Sequence, residues 1–163
     1  MTQPSESGEE LVKVFFDVPE KDGSVMRTES LWAEPVGGDR YRLRNVPFLV
    51  FGFSEQDVIT ATENNGILKV TGVAVRGGHS TYRLALPEDA NEEKFLQEWI
   101  PLKELGCTYE RATRRYVAID VPPPADIYAV YKALEEGESA GQWEFEEGHC
   151  GHLPPKKQPQ NVS

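Results

Sequence analysis

Two cysteines in 163 residues, Cys107 and Cys150, are too few for a disulfide framework, so the fold must rest on its apolar core. No stretch approaches the roughly 20 apolar residues that a membrane span needs. The opening MTQPSESGEE carries neither a basic segment nor an apolar one, so it does not read as a secretion signal. These absences set the expectation of a cytoplasmic protein with reduced thiols. Basic charge is scarce too: 17 Lys and Arg face 27 Asp and Glu, for a net charge of −10. Such a surface repels phosphate backbones and anionic lipid, so neither nucleic acid nor membrane is the expected partner. A basic protein is favoured instead, although plain solubility accounts for the same charge. No catalytic, metal or nucleotide signature of high specificity occurs, and no cofactor is expected.

What is present is a globular composition, 39% hydrophobic and 27% charged, enough to build one ordinary domain or two small subdomains. Residues 1–9 are Ser/Glu/Gly-rich and read as disordered, and 149–163 read as a flexible tail. Residues 10–76 carry strand patterns. LVKVFFDV (11–18) puts Val12, Val14, Phe16 and Val18 on one face, and MRTESLWAEPV (26–36) follows a turn over 21–24. RYRLRNV (40–46), DVITAT (57–62) and ILKVTGVAV (67–75) complete five strands, the last two joined through Asn65-Gly66, a strong hairpin signal. Short turns and no helix predict a small antiparallel sheet or barrel.

Residues 77–148 change period. Strands are predicted over 79–86, 107–112, 115–121 and 141–147. A helix over 91–105 carries Phe95, Leu96, Trp99, Leu102 and Leu105 on one stripe, with a kink or break after Trp99 because of Pro101. Ile127, Val130, Tyr131 and Leu134 mark a second helix, with Pro124 near its first position and Gly137 after its end. The order β-α-β-β-α-β is the ferredoxin-like one. The fold expected is therefore α+β, a small N-terminal antiparallel β-sheet or barrel packed on a C-terminal ferredoxin-like half. One face of that half carries the helices, and the other is left to water or a partner.

Trp32-Ala33, Asn45-Val46-Pro47-Phe48, Asp57-Val58 and Gly78-His79-Ser80-Thr81, in this order, make the chain resemble the bacterial family known as domain of unknown function 4265, over about 10–147. The resemblance implies the extent of the folded part and brings no activity with it.

The best candidate site is Gly77-Gly78-His79-Ser80-Thr81. Two glycines let backbone N–H groups converge on an anion, while His79 and Ser80 offer a base and a hydroxyl at the junction of the halves. A turn between subdomains explains the same residues, and no Asp or Glu lies close in sequence to orient His79. The run 45–53, NVPFLVFGF, reads as a pocket wall with Asn45 and Phe48 as binding candidates, or as a core-filling connection. Asp57 is a candidate acid only if burial or a charged partner shifts it. His149, Cys150 and His152 are soft-metal ligand types, but their spacing matches no zinc motif and no metal is expected. Arg40, Arg42 and Arg44 share one strand face and, with Arg27 or Arg76, suit an acidic group, or are simply solvated. A nucleic-acid platform is disfavoured, because Tyr116, Ala118, Asp120, Glu144 and Glu146 are expected to face outward on the sheet. Residues 135–147 hold six acids and no base, with Trp143 as a candidate anchor for a basic partner.

Two functions follow. The leading expectation is a protein-interaction module, for instance a neutraliser of a basic toxin. The alternative is a small-molecule binder or enzyme with its pocket around His79.

Overall fold

The structure, a computed structural model, describes residues 10–20, 22 and 26–152. Five strands form the first part: β1 (Val12–Pro19), β2 (Met26–Gly37), β3 (Arg40–Leu43), β4 (Val58–Asn64) and β5 (Ile67–Val75). Alternation in β1 buries Val14, Phe16 and Val18 and exposes Lys13 and Asp17, as a half-buried strand requires. Each strand pairs antiparallel with the next. A meander of five strands ends running the same way it began. β5 therefore closes on β1 in parallel, through Val14↔Leu68 and Phe15↔Lys69, and the sheet becomes a closed barrel. The β4–β5 connection is the Asn65-Gly66 pair, at φ 55° and 82°, as a type I′ turn needs. The turn read over 21–24 and both chain ends fall outside the described residues, except for Asp22.

The second part runs β6 (Ser80–Ala85), α1 (Glu92–Glu104), β7 (Thr108–Thr113), β8 (Tyr116–Val121), α2 (Ile127–Ser139) and β9 (Glu144–His149). Its sheet is antiparallel in the order β7-β8-β6-β9. Tyr82, Leu84, Val117 and Ile119 form a core with Phe95, Trp99 and Leu102 of α1 and Val130 and Leu134 of α2. The described residues thus form an α+β protein of two sheets and two helices.

Two helix boundaries differ from the sequence reading. α1 runs unbroken through Pro101, whose ring lies on the exposed side. The lost N–H bond falls where the helix faces water, so packing of Trp99 and Leu102 on either side keeps it continuous. α2 starts at Ile127, capped by Asp126, whose carboxylate accepts from Tyr128 and Ala129 N–H, and it continues past Gly137 to Ser139. Gly137 is inside the helix because the Trp143 ring lies against it, where a Cβ would come within 2.2 Å. α1 stops before Gly106, whose φ is 102°, and Cys107 N–H reaches back to Leu102 O.

The largest departure is the far face of the second sheet. Much of it is covered by the protein's own chain. Residues 44–57, which leave the barrel after β3 and re-enter at β4, lie across it. Ala118 and Asp120 are buried there, so that part of the face read as outward is internal, while Glu144 and Glu146 on the edge strand are exposed as read. Tyr116 Oη donates to Phe48 O at 3.0 Å, and the two rings lie 6.3 Å apart. Gly52 N–H donates to Gly148 O.

A buried ion at each side holds this crossing segment. Glu29 of β2 accepts from the N–H groups of Phe48, Leu49 and Val50, at 2.6, 3.0 and 2.9 Å. Arg83 of β6, 1% exposed, donates to the carbonyls of Pro47, Leu49 and Val50 and to Glu146. The apolar side chains of the same segment plug the barrel: Val50 is buried there, and Phe53 meets Phe16 edge-on at 4.8 Å. The run 45–53 is therefore a core-filling connection, with only Phe51 largely exposed.

Candidate functional site

Where β4, β6, β8 and the 51–57 turn meet, the structure gathers most of the polar residues singled out from sequence. Asp57 directly precedes β4, with its side chain fully buried. It accepts from Ser54 N–H at 2.9 Å, Gly77 N–H at 2.8 Å and Arg76 Nη1 at 3.0 Å. With both oxygens engaged it acts as a structural tie, and it takes the Gly77 N–H that would otherwise point at an anion. Gly77 itself has no room for a side chain, since a Cβ would lie 2.5 Å from Gln56 O.

Ser54 Oγ joins Thr81 Oγ1 at 2.6 Å and His149 Nδ1 at 2.9 Å. Burial pushes the pKa of His149 down, favouring the neutral ring. Ser80, also buried, is 2.6 Å from His152 Nδ1 and accepts from Gly151 N–H at 2.8 Å. His152 Nε2 donates to Pro122 O at 2.9 Å. Both nitrogens of His152 are thus engaged by protein atoms, and residues 149–152 are tied down past the boundary read at 148. Cys150 is exposed, and among the described residues no group of His, Cys, Asp and Glu is placed to hold a metal ion.

His79 is different. Its Nδ1 lies 2.9 Å from both oxygens of Asp120, delivered from the middle sheet strand β8. Nδ1–H donates to the carboxylate, which fixes the ring, and no hydrogen bond to Nε2 occurs among the described residues. The bond to Asp120 raises the His79 pKa above 6.5, against the opposing effect of burial. Glu55 lies in the same field. Burial, then the charges of Asp120 and Glu110, push its carboxyl up to about 7. Burial also raises Glu110, whose carboxylate accepts from Val46 N–H at 3.3 Å. The junction therefore holds a histidine whose pKa is raised by its carboxylate partner and a carboxyl pushed up to about 7.

His79 lines an open groove of about 490 Å³, together with Arg42, Gln56, Val58, Val75, Arg76 and Gly77. Gln56 sits at φ 76° in a turn closed by Asp57 N–H to Ser54 O, the value for the third position of a type II turn. Glycine usually fills that position, and glutamine there carries strain of about 1–2 kcal/mol.

Of the residues named from sequence, then, the structure unites Asp57, Gly77, Gly78, His79, Ser80 and Thr81 but leaves only His79 with an available catalytic edge. Asn45 is buried, its Oδ1 accepting Trp32 N–H at 2.9 Å. Phe48 packs on Tyr116. Trp143 is a core residue, 4% exposed, with Nε1 donating to Leu134 O, so it is no surface anchor. Sequence reasoning missed Asp120 and Glu55 as partners of His79. The one signal for Asp120 is a carboxylate inside the otherwise apolar strand VAIDV.

The molecule so defined is a two-sheet α+β protein with a carboxylate-oriented histidine at the junction. The family model described as Domain of unknown function (DUF4265) matches residues 29–145, and the chain belongs to that family. The matched span includes Arg42, Glu55, Arg76, His79 and Asp120 and stops before His149 and His152. The solved structure of a hypothetical protein from Neisseria gonorrhoeae is similar in fold, with a TM-score of 0.75 at 13% identity over 89% of this chain and 99% of that one. No curated protein sequence matches the chain.

Proposed function

We propose that the junction groove binds a small molecule and that His79, oriented by Asp120, transfers a proton to or from it. The observation that carries this reading is the contrast between two histidines. His152 has both ring nitrogens engaged by protein, as a structural histidine does. His79 has one nitrogen fixed by a buried carboxylate while its ring lines an open groove. That is the arrangement of a base whose tautomer and direction are set by a third group. Glu55, held near neutral, is a second proton carrier beside it.

The test is a melting-temperature screen of a metabolite collection on the wild type and His79→Gln. Compounds that raise the wild-type melting temperature and not that of the variant support the reading. If no compound separates the two proteins and the substitution mainly lowers stability, His79 is structural.

The interaction-module reading is the second one. Its support is the run 135–147, which holds six acids and no base, together with the exposed rings of Tyr128 and Tyr131 on α2. A single basic protein captured in stoichiometric amount and released by salt would favour it. We also read the second sheet as ferredoxin-like, supported by its element order and by the strand order β7-β8-β6-β9. The cytoplasmic reading is supported by two free cysteines. No helix among the described residues is long and apolar enough to cross a membrane.

A further inference from the structure

Resting on the site reading above, we propose that the ligand is a small molecule with an anionic group, carboxylate or phosphate, held by Arg42 and Arg76, and an apolar remainder against Val58 and Val75. The first ground is local charge. The protein carries −10 overall, yet the groove is lined by two arginines and a histidine and by no Asp or Glu. The balancing carboxylates lie to the side or behind: Glu34 beside Arg42, Asp57 under Arg76 and Asp120 under His79. Such a basic island draws an anion out of a surrounding field that repels it elsewhere, which favours a small ligand over an extended polyanion.

The second ground is geometry. Strand register sets Arg42 opposite Val58 and Val58 opposite Val75, so the three form one row across β3, β4 and β5. Adjacent strands lie about 4.8 Å apart, so the row spans about 10 Å, the size of a small metabolite. Arg76 follows Val75 at one end of the row and His79 stands close by.

The third ground is unfilled hydrogen-bonding capacity. Arg76 Nη1 is bound to Gly52 O at 2.7 Å and Asp57 at 3.0 Å, which fixes the guanidinium. Its Nη2 and Nε meet no acceptor among the described residues. Arg42 is 38% exposed and reaches Glu34 only at 3.4 Å. A guanidinium fixed on one side and open on the other presents a ready fork to a carboxylate or phosphate. A cationic ligand is disfavoured, because the charged side chains that line the groove are two arginines and a histidine.

The experiment is an NMR titration of the full chain with butyrate, acetate, inorganic phosphate and, as control, butylamine. Saturable shifts at the Arg42 and Arg76 side chains and at His79 are expected with the anions and not with butylamine. Butyrate should bind more tightly than acetate if the valines take the apolar part. Arg42→Gln, on an exposed side chain, should weaken binding about tenfold without loss of fold. Arg76→Gln should do the same, though it also frees Asp57. Phosphate tighter than butyrate indicates a phosphate ligand, and the reverse a carboxylate. Shifts that never saturate, or that are equal in Arg42→Gln, overturn the inference. The two proposals fail separately. Ligands that require His79 yet bind Arg42→Gln unchanged sink the anion inference alone. Anion binding that requires Arg42, with His79 titrating the same after Asp120→Asn, sinks the proton-transfer reading alone.

Discussion

Arg83 is a cation at 1% exposure whose four hydrogen bonds go to three loop carbonyls and one carboxylate. Gly148 makes room for it, since a Cβ there would lie 3.1 Å from the guanidinium carbon. Removing the guanidinium strands those carbonyls and weakens the hold of the second sheet on the crossing segment, leaving Tyr116, Gly148 and Thr81 as its ties on that side. Arg83→Met should therefore cost about 3–5 kcal/mol in urea unfolding, even though methionine fills most of the volume. Gln56 makes the opposite case. Its left-handed backbone costs about 1–2 kcal/mol relative to glycine, while glycine gives back about 0.5–1 through chain entropy. Gln56→Gly should thus raise stability by about 0.5–1 kcal/mol, and if Gln56 contacts the ligand, binding should weaken in the same protein. Neither residue was legible from sequence. A buried arginine and an exposed one are the same letter, and strain at Gln56 exists only because Gly77 and Asp57 fix the turn around it.

Within an element, the sequence speaks clearly where the cause is local. The Asn65-Gly66 turn, the alternation of β1 and the stripe of α2 were readable because each needs only its neighbours in sequence. The ends of the helices were less so. Gly137 looked like a stop signal, yet it lies inside α2 beneath Trp143. Helix propensity alone favours Gly137→Ala by about 1 kcal/mol. The clash with a core indole at 2.2 Å outweighs that, because a buried ring tied to Leu134 O cannot step aside. The substitution should destabilise by about 1–3 kcal/mol, with a lower melting temperature as readout. The dyad was illegible for a related reason. His79 and Asp120 are 41 residues apart, and only the register Ser80↔Val121 and Thr81↔Asp120 brings them together. The 45–53 run was ambiguous because it serves two surfaces, its side chains in the barrel and its backbone on the second sheet.

Across the whole molecule, the junction makes stability depend on pH with opposing signs. The Glu55 pKa rises from 4.5 to about 7 on folding, so between those values the folded state keeps a proton that the unfolded chain has released. Its stabilising contribution is full below about 4.5 and is lost as pH climbs through about 7. His79, also raised, contributes fully below 6.5 and loses that contribution as pH rises through its folded value. His149, lowered by burial, contributes above 6.5 and loses that as pH falls through its folded value. Glu55→Gln should therefore leave stability at pH 4 almost unchanged and raise it at pH 8 by about 1–3 kcal/mol, as urea unfolding at the two pH values would show.

The role proposed for the junction requires His79 to be a charge-coupled partner of Asp120. The direct measurement is an NMR pH titration of the His79 ring in the wild type and in Asp120→Asn. A wild-type pKa above 6.5, with the proton held on Nδ1 in the neutral ring, and a fall in the variant is the predicted result. A pKa at or below 6.5 that does not move on removing the Asp120 charge would contradict it and return His79 to the role of a turn residue between the two sheets.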